Sequence, residues 1–278
     1  MSLTRLSSTC RQAVAVFALL TAVCFIHPPT SQAKDKVPTA EEVAERVILA
    51  YGSRGAIYGT QHNGIIKSNL KLFSGETARE GRTTVKFIRK KKYPEDLVIL
   101  ELELPDTKYV LGFDGQKIWA QHNGETLEPD EATTRAFRSS HFHSYESLLR
   151  FKESEAKLEY VGNDKIGTLE MDIIDLVPAE GERTRYFISR KTSRILYLEY
   201  ETRARPDAAP VKYRFAFSDF RAIQSCLVPY QIQVFENGKK IEERKLIEVA
   251  YNVQLEESAF KVGGAPAKAA EAAQKPGF

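Results

Sequence analysis

The sequence predicts a mainly β protein of ten to twelve antiparallel strands, with a helix at its start and a helical segment in its middle. Residues 211–220 alternate between aromatic or apolar and charged or small side chains, which is the period of a strand with one dry face. Asn237-Gly238 separates two further alternating runs and is a strong hairpin signal. Strands joined by hairpins pair antiparallel, and a sheet this long must curl, split or close. Because no internal repeat is present, one domain is the simplest arrangement.

Residues 1–33 predict a cleaved secretory signal peptide. Arg5 and Arg11 give a positive start, and residues 13–26 form an apolar core. This core is shorter than the stretch of about 20 residues that a membrane span needs. Small residues lead up to Ala33, after which we expect cleavage. The mature chain is therefore expected to be exported.

The cysteines predict no disulfide in the mature chain. Cys10 and Cys24 lie in the leader, so only Cys226 remains, and we expect it to be a small buried residue. A lipoprotein leader that ends at Cys24 is an alternative, but Val23 stands where that signal has Gly, Ala or Ser.

The charge of the mature chain gives no argument for nucleic-acid binding. Without Arg5 and Arg11, 38 of the 40 Lys and Arg residues remain, against 37 Asp and Glu. The local exception is Arg-Lys-Lys-Lys at residues 89–92. It predicts a solvated strand end that protects a sheet edge, or alternatively a contact with anionic lipid head groups or an acidic partner.

The first predicted element of the mature chain is a helix over residues 39–52. Thr39 and Glu42 have the spacing of a capping box, Val43 and Val47 belong to an apolar stripe, and Gly52 suits the position after a helix end. Alternation then predicts five strands, at residues 65–73, 83–91, 97–104, 109–113 and 117–121.

Alternation stops at residues 129–151, which predict one broken helix or two short helices. Asp130 can cap the first, and apolar residues recur at helical spacing. Further strands are predicted at residues 157–161, 169–173, 185–190, 195–202, 211–220, 230–235 and 240–251. Residues 255–260 are a segment that can dock on the sheet. The predicted domain therefore covers residues 34–262, and residues 263–278 have little to bury and are expected to be disordered.

The one histidine cluster, His141 and His143, does not predict a metal site. Two rings at this spacing share a face in a strand, but the segment has a helical or irregular pattern. No cysteine or acidic partner lies nearby at a ligand spacing. We interpret the two rings as a partly exposed pair and expect no metal and no cofactor.

Two carboxylate pairs have a spacing that acid–base chemistry can use, Asp172 with Asp175 and Glu101 with Glu103. The simpler interpretation is a solvated sheet face. Because no nucleophile elbow, phosphate-binding loop or Cys/His signature is present, we expect no catalytic residue. A secreted β-rich enzyme is a third hypothesis. Enzymatic turnover that is lost when a single carboxylate or histidine is replaced would support it.

Taken together, these patterns resemble the LolA-like family of periplasmic lipoprotein-sorting proteins. The resemblance covers most of the mature chain and consists of strand and turn patterns, without a catalytic fingerprint. The matching segments are residues 41–51, 111–119, 213–220, 227–230, 237–239 and 258–260.

The resemblance implies an unclosed, curved antiparallel half-barrel, with an N-terminal helix and a central helical lid over its concave face. It implies a monomeric periplasmic carrier that shields the acyl chains of lipoproteins or lipids during transport towards the outer membrane. Its partners would be those acyl chains and transport proteins of the inner and outer membranes, with no nucleic acid. The alternative is an envelope sensor or scaffold that uses the same fold to bind a protein.

The alternation of the strands predicts which apolar side chains line the groove, although each of these residues could equally be part of an ordinary hydrophobic core. The expected lining is Val85, Phe87, Leu100, Leu102, Tyr109, Leu111, Leu169, Met171, Tyr213, Phe215 and Phe217. The expected lid side chains, which would fill the groove when it is empty, are Phe137, Leu148 and Leu149.

Overall fold

The computed structural model describes residues 37–203 and 208–263. The predicted signal peptide and residues 264–278 of the predicted tail lie outside the described residues.

The N-terminal helix forms as predicted and is followed by a second helix. Helix α1 covers Ala40–Ala50, and its capping box is present, since Thr39 N donates to Glu42 (2.7 Å) and Glu42 N donates to Thr39 Oγ1 (3.1 Å). Helix α2 covers Ser53–Thr60. Gly52 separates the two helices at φ +126°, and a Cβ there would lie 2.5 Å from the carbonyl oxygen of Ser225. Glycine is therefore required at this break.

In the described part of the chain, thirteen antiparallel strands form one sheet that is not closed. The strands are β1 (Asn63–Ser74), β2 (Thr77–Ile88), β3 (Leu97–Leu104), β4 (Thr107–Phe113), β5 (Ile118–His122), β6 (Glu125–Leu127), β7 (Lys157–Ile166), β8 (Leu169–Val177), β9 (Thr184–Ser189), β10 (Ile195–Thr202), β11 (Val211–Ile223), β12 (Cys226–Glu236) and β13 (Lys239–Tyr251). Their order is β6-β5-β4-β3-β2-β1-β13-β12-β11-β10-β9-β8-β7, so β6 and β7 are the two edges. The predicted fold class, a mainly β protein built on one antiparallel sheet, is confirmed.

The two edge strands are consecutive in the chain, and the predicted middle helices connect them. These helices are α3 (Glu131–Phe142) and α4 (Tyr145–Leu149). Asp130 caps α3 by accepting from Thr133 N at 2.7 Å, and Ser144 caps α4 by accepting from Ser147 N at 3.3 Å. The helical interruption of the strand pattern therefore runs from one open edge of the sheet to the other.

The segment after β13 docks on the sheet, as predicted. Glu257–Phe260 is a 3₁₀ turn in which Phe260 is fully buried against Leu97 and Ile99. Trp119 Nε1 donates to the carbonyl oxygen of Phe260 at 2.8 Å. This contact lies on the face of the sheet opposite to the one that meets α3.

The predicted alternation of residues 211–220 breaks at Asp219. The β11–β12 register is the same on both sides of this residue, since Ser218 pairs with Gln231 and Phe220 with Pro229, but Asp219 has φ +51° and does not pair with Tyr230. Beyond this local distortion Phe220, predicted on the charged face, lies towards the helices, where its ring meets Tyr51 edge-on at 6.3 Å. The sequence pattern also missed β6 and the first half of β2, whose residues are mostly exposed.

Candidate functional site

The helix-facing side of the sheet carries two apolar clusters, and the first is a closed core. It lies under α1, α2 and α4, and its members are nearly all fully buried. Helix α1 contributes Val43 and Val47, and β8 contributes Ile174 and Leu176. Such a core stabilises the fold and leaves no room for a ligand.

The second cluster lies under α3 and is covered more thinly. Phe137 is the one buried side chain of α3, and it packs with buried residues that include Phe87 and Tyr251. Around them lie apolar side chains of the sheet that stay partly exposed: Ile66, Val85, Leu100, Leu111, Phe113 and Ile118. One aromatic ring therefore joins a mostly polar helix to an apolar surface.

A cavity of about 610 Å³ adjoins this second cluster. Phe113, Ile118 and Phe137 form part of its apolar wall. Arg138 on α3 and Glu180 in the β8–β9 connection belong to its polar rim. The volume lies within the range of about 300–1,000 Å³ that is usual for ligand pockets.

The structure brings most of the predicted groove and lid residues to the helix-facing side. Leu102 pairs with Tyr109 in the β3–β4 ladder, and Leu100 pairs with Leu111 two residues away along each strand. Residues two apart point to the same face, so the two pairs lie on the same side of the sheet. The second cluster contains Val85, Phe87, Leu100, Leu111 and Phe137. The first contains Tyr213, Phe215, Phe217, Leu148 and Leu149.

Leu169 and Met171 are on the opposite face, so their assignment to the groove was wrong. In β8 the residues that face the helices are Asp172, Ile174 and Leu176, since Asp172 meets α1 and the other two belong to the first cluster. Both faces of β8 are apolar in sequence, and alternation alone does not say which face meets the helices.

The β2–β3 connection, residues 89–96, binds the segment that contains α3 and α4 through side-chain contacts. These contacts were not predicted from the sequence. Tyr93 donates from its hydroxyl to the carbonyl oxygen of His141 at 2.7 Å, and the two rings stack at 4.6 Å. Arg150 binds Asp96 with both terminal nitrogens and donates from Nε to Glu153 at 2.7 Å. Burial raises the pKa of Asp96 above its usual value. The one available signal was an arginine within the apolar run Leu148-Leu149-Arg150-Phe151, which needs a partner when buried.

The same connection contains the basic run at residues 89–92, and two of its four side chains are held in ion pairs. Arg89 is buried and donates to Glu146 of α4 at 3.0 Å, and Lys90 pairs with Glu257. Only Lys91 and Lys92 are exposed. The solvated strand end predicted from the sequence is therefore limited to these two residues.

His143 is a core residue, so the interpretation of a partly exposed histidine pair was wrong for it. Its ring stacks on Tyr200 at 3.8 Å, and its Nδ1 lies 2.7 Å from Thr184 Oγ1. Burial lowers the pKa of His143 to about 3, so the ring is neutral at neutral pH. The side chain joins the end of α3 to β9 and β10.

This burial predicts that the protein loses stability in mild acid. The pKa of an unfolded histidine is about 6.5, so between pH 6.5 and about 3 the unfolded chain binds more protons than the folded chain, with a difference that approaches one proton in the middle of this range. Stability therefore falls as the pH is lowered through this window. In urea unfolding between pH 6.5 and 5, we expect His143→Gln to reduce the slope by about 1 kcal/mol per pH unit, approaching the limit of about 1.4 at the acid end of this range. The same substitution at the exposed His122 should leave the slope unchanged, and equal slopes for His143→Gln and the wild type would contradict the assignment.

Asp172 and Asp175, one of the two carboxylate pairs considered for acid–base chemistry, are held in separate ion pairs. Asp172 accepts from Arg46 of α1 at 2.7 Å on the helix-facing side. Asp175 accepts from Arg185 at 2.8 Å on the opposite side. Both are buried, which corrects the expectation of a solvated face. Residues 37–203 and 208–263 hold no group of three His, Cys, Asp or Glu side chains placed to bind a metal. Cys226 is buried as predicted.

Solved structures similar to this chain share its architecture. A domain from Vibrio parahaemolyticus, provisionally described as an outer membrane lipoprotein-sorting protein domain, aligns with a TM-score of 0.56 at 12% identity, over 81% of this chain and 98% of its own. A LolA superfamily protein from Nitrosomonas europaea aligns with a TM-score of 0.53 at 8% identity, over 81% and 98%. The chain has the LolA-like fold. A DUF1329 family protein from Desulfovibrio piger aligns equally well, with a TM-score of 0.55 at 14% identity over 81% and 96%. No protein-family model and no curated protein sequence matches the chain.

The LolA-like fold accounts for the unclosed sheet and for helices on one face of it, as the sequence resemblance implied. Nothing in the described residues or in these neighbours points to catalysis. No helix in the described part of the chain combines the length and the apolar character that crossing a bilayer requires.

Proposed function

We propose that the protein binds acyl chains of lipids or lipoproteins under α3 and carries them through the periplasm towards the outer membrane. The observation that carries this proposal is the second cluster, where one buried side chain of α3 covers a partly exposed apolar surface beside a 610 Å³ cavity. The LolA-like fold and the predicted export signal support the same function.

The energetics of such a groove suit reversible binding. Each buried methylene contributes about 0.8 kcal/mol, so a chain of about 16 carbons gains roughly 12 kcal/mol before the costs of binding. A gross binding free energy of this size is enough to hold a lipid out of water, but it also slows the release of that lipid. A lid that competes for the same surface lowers the net affinity, and Phe137 has the position for this role.

The proposed groove keeps the predicted residues on the helix-facing side and omits Leu169 and Met171. Its lining is Val85, Phe87, Leu100, Leu102, Tyr109, Leu111, Tyr213, Phe215 and Phe217, under a lid with Phe137, Leu148 and Leu149. Tyr213 and Phe215 are partly exposed at the border of the first cluster, whereas Phe217, Leu148 and Leu149 are buried in it and become accessible only when the helices move.

Lipid analysis of the purified protein tests the proposal. We expect protein purified from the periplasm of expressing cells to release about one acyl lipid per chain into organic solvent, measured by mass spectrometry. Leu111→Gln places an amide on the groove surface and should reduce the bound lipid about tenfold or more. Ile247→Gln, at an exposed site in a bulge of β13, is the matched control and should retain it.

An empty protein would overturn acyl binding. If that empty protein co-purified with a single membrane protein, the scaffold function would replace the carrier function.

A further inference from the structure

The rim of the 610 Å³ cavity carries charged side chains of both signs. Arg138 belongs to α3 and Arg203 follows β10, whereas Glu180 and Glu182 lie in the β8–β9 connection. All four residues are exposed, while the apolar wall beside them includes the buried Phe137. A ligand whose chain lies against the apolar wall would therefore place its head group among these charges.

The four rim charges do not neutralise one another. In the part of the chain that the structure describes, Arg138, Glu180 and Glu182 form no ion pair. Arg203 forms none there either, and it donates to the carbonyl oxygen of Ala208 at 3.0 Å. The charges of all four side chains are therefore available to a ligand in the cavity.

Other charged groups near the cavity already have partners. Arg135 of α3 also lines the cavity, and it binds Glu131 at 2.9 Å. Arg183 in the β8–β9 connection binds Asp175 at 3.1 Å. Burial lowers the pKa of His141, which also lines the cavity, so its ring is neutral at neutral pH. The rim that a ligand meets therefore consists of two guanidinium groups and two carboxylates, whose charges balance.

This balance of charges discriminates between classes of head group. The ester and amide groups that join acyl chains to a lipoprotein are uncharged and would leave all four rim charges without a partner. A purely anionic head group would be repelled by the two carboxylates, and a purely cationic one by the two guanidinium groups. A head group with one charge of each sign is attracted by both pairs.

We propose that the acyl cargo is a phospholipid with a zwitterionic head group, in which a phosphate is joined to a primary ammonium. The phosphate binds Arg138 and Arg203, because guanidinium groups donate charge-assisted hydrogen bonds to phosphate oxygens. The ammonium donates to Glu180 and Glu182. A quaternary ammonium has no N–H to donate and is recognised by aromatic cages, so carboxylate partners favour the primary amine. The inference rests on the proposed function, since the acyl chains occupy the same groove, and it names the class of lipid.

Competition between lipids that share one acyl chain tests the head group. We expect palmitoyl lysophosphatidylethanolamine to displace a fluorescent fatty acid at a concentration about fivefold lower than palmitoyl lysophosphatidylglycerol or monopalmitoylglycerol does. An effect of this size is what two exposed ion pairs supply. High salt should reduce the preference over monopalmitoylglycerol, because it screens exposed charges.

Variants of the rim test the two halves of the head group separately. Glu180→Gln/Glu182→Gln removes the partners of the ammonium, so the two lysophospholipids should then displace the probe equally well. Arg138→Gln should weaken displacement by both of them about threefold and leave monopalmitoylglycerol unchanged. Glu125→Gln, at an exposed position outside the cavity, is the matched control and should keep the wild-type preference. Thermal unfolding of each variant checks the fold.

The possible results distinguish this inference from the proposed function. If lysophosphatidylglycerol or monopalmitoylglycerol displaces the probe as well as lysophosphatidylethanolamine does, the head group is wrong, although acyl binding stands. Rim variants that keep the wild-type preference would show that the head group binds elsewhere. If the fluorescent fatty acid does not bind at all, acyl binding under α3 fails, and this inference fails with it.

Discussion

Replacing Arg150 by alanine is expected to destabilise the protein by about 3–5 kcal/mol. The Arg150 side chain is 1% exposed and faces Asp96, 4% exposed, and Glu153, 11% exposed. Its Nη2 also donates to the carbonyl oxygen of Lys90 at 3.1 Å, and its guanidinium lies over the ring of Tyr93 at 4.9 Å. Arg150→Ala leaves buried carboxylates without a counter-charge, so urea unfolding should show a lower free energy of unfolding.

The control for Arg150→Ala is an ion pair on the surface. Arg79 and Asp106 pair at 2.6 Å but are both well exposed, so Arg79→Ala should cost no more than about 0.5 kcal/mol. Adding Asp96→Asn and Glu153→Gln to Arg150→Ala should restore part of the lost stability, because the unpaired charges are then removed. A loss for Arg150→Ala as small as that for Arg79→Ala would show that Arg150 does not hold the helical segment in place.

Replacing Phe137 by alanine is expected to raise the affinity for acyl chains about tenfold. Truncating a buried phenylalanine costs about 3–5 kcal/mol, and this side chain is the one buried side chain of α3. If α3 competes with the cargo, weakening its attachment increases the fraction of molecules with an open groove, and the apparent affinity rises with that fraction. Titration with a fluorescent fatty acid measures the affinity, and limited proteolysis within residues 131–142 measures the opening.

Ala136→Ser changes an exposed position on the same helix and should affect neither measurement. Weaker binding by Phe137→Ala would mean that the ring is part of the ligand site, and that the lid does not compete with the cargo.

Periodicity was enough to predict most strands, because strand alternation and turn chemistry are local properties. The Asn237-Gly238 hairpin and the capping box at Thr39 and Glu42 formed where the sequence indicated them. The helical interruption at residues 129–151 was also predicted, since strand alternation stops there and Asp130, the cap of α3, directly precedes that helix.

Properties that depend on distant partners were not predicted. The face of β8 follows from the contact of Asp172 with Arg46, 126 positions away, and this contact decides that Leu169 and Met171 face away from the helices. His143 is neutral and buried because Tyr200 and Thr184 enclose it, and both belong to strands later in the chain. The sequence indicated side chains that alternate or cap, but it did not indicate which of them meet.

The placement of β1 beside β13 has a consequence for how the chain folds. Every other neighbouring pair in the sheet joins strands that are consecutive in the chain, so two meanders, β1–β6 and β7–β13, can form from local hairpins. The β1–β13 pair is different, since Lys67 and Glu248, which bond across it, are 181 positions apart. Closing so long a loop costs chain entropy before its contacts form. We therefore expect the two meanders to form early and the seam between them to limit the folding rate.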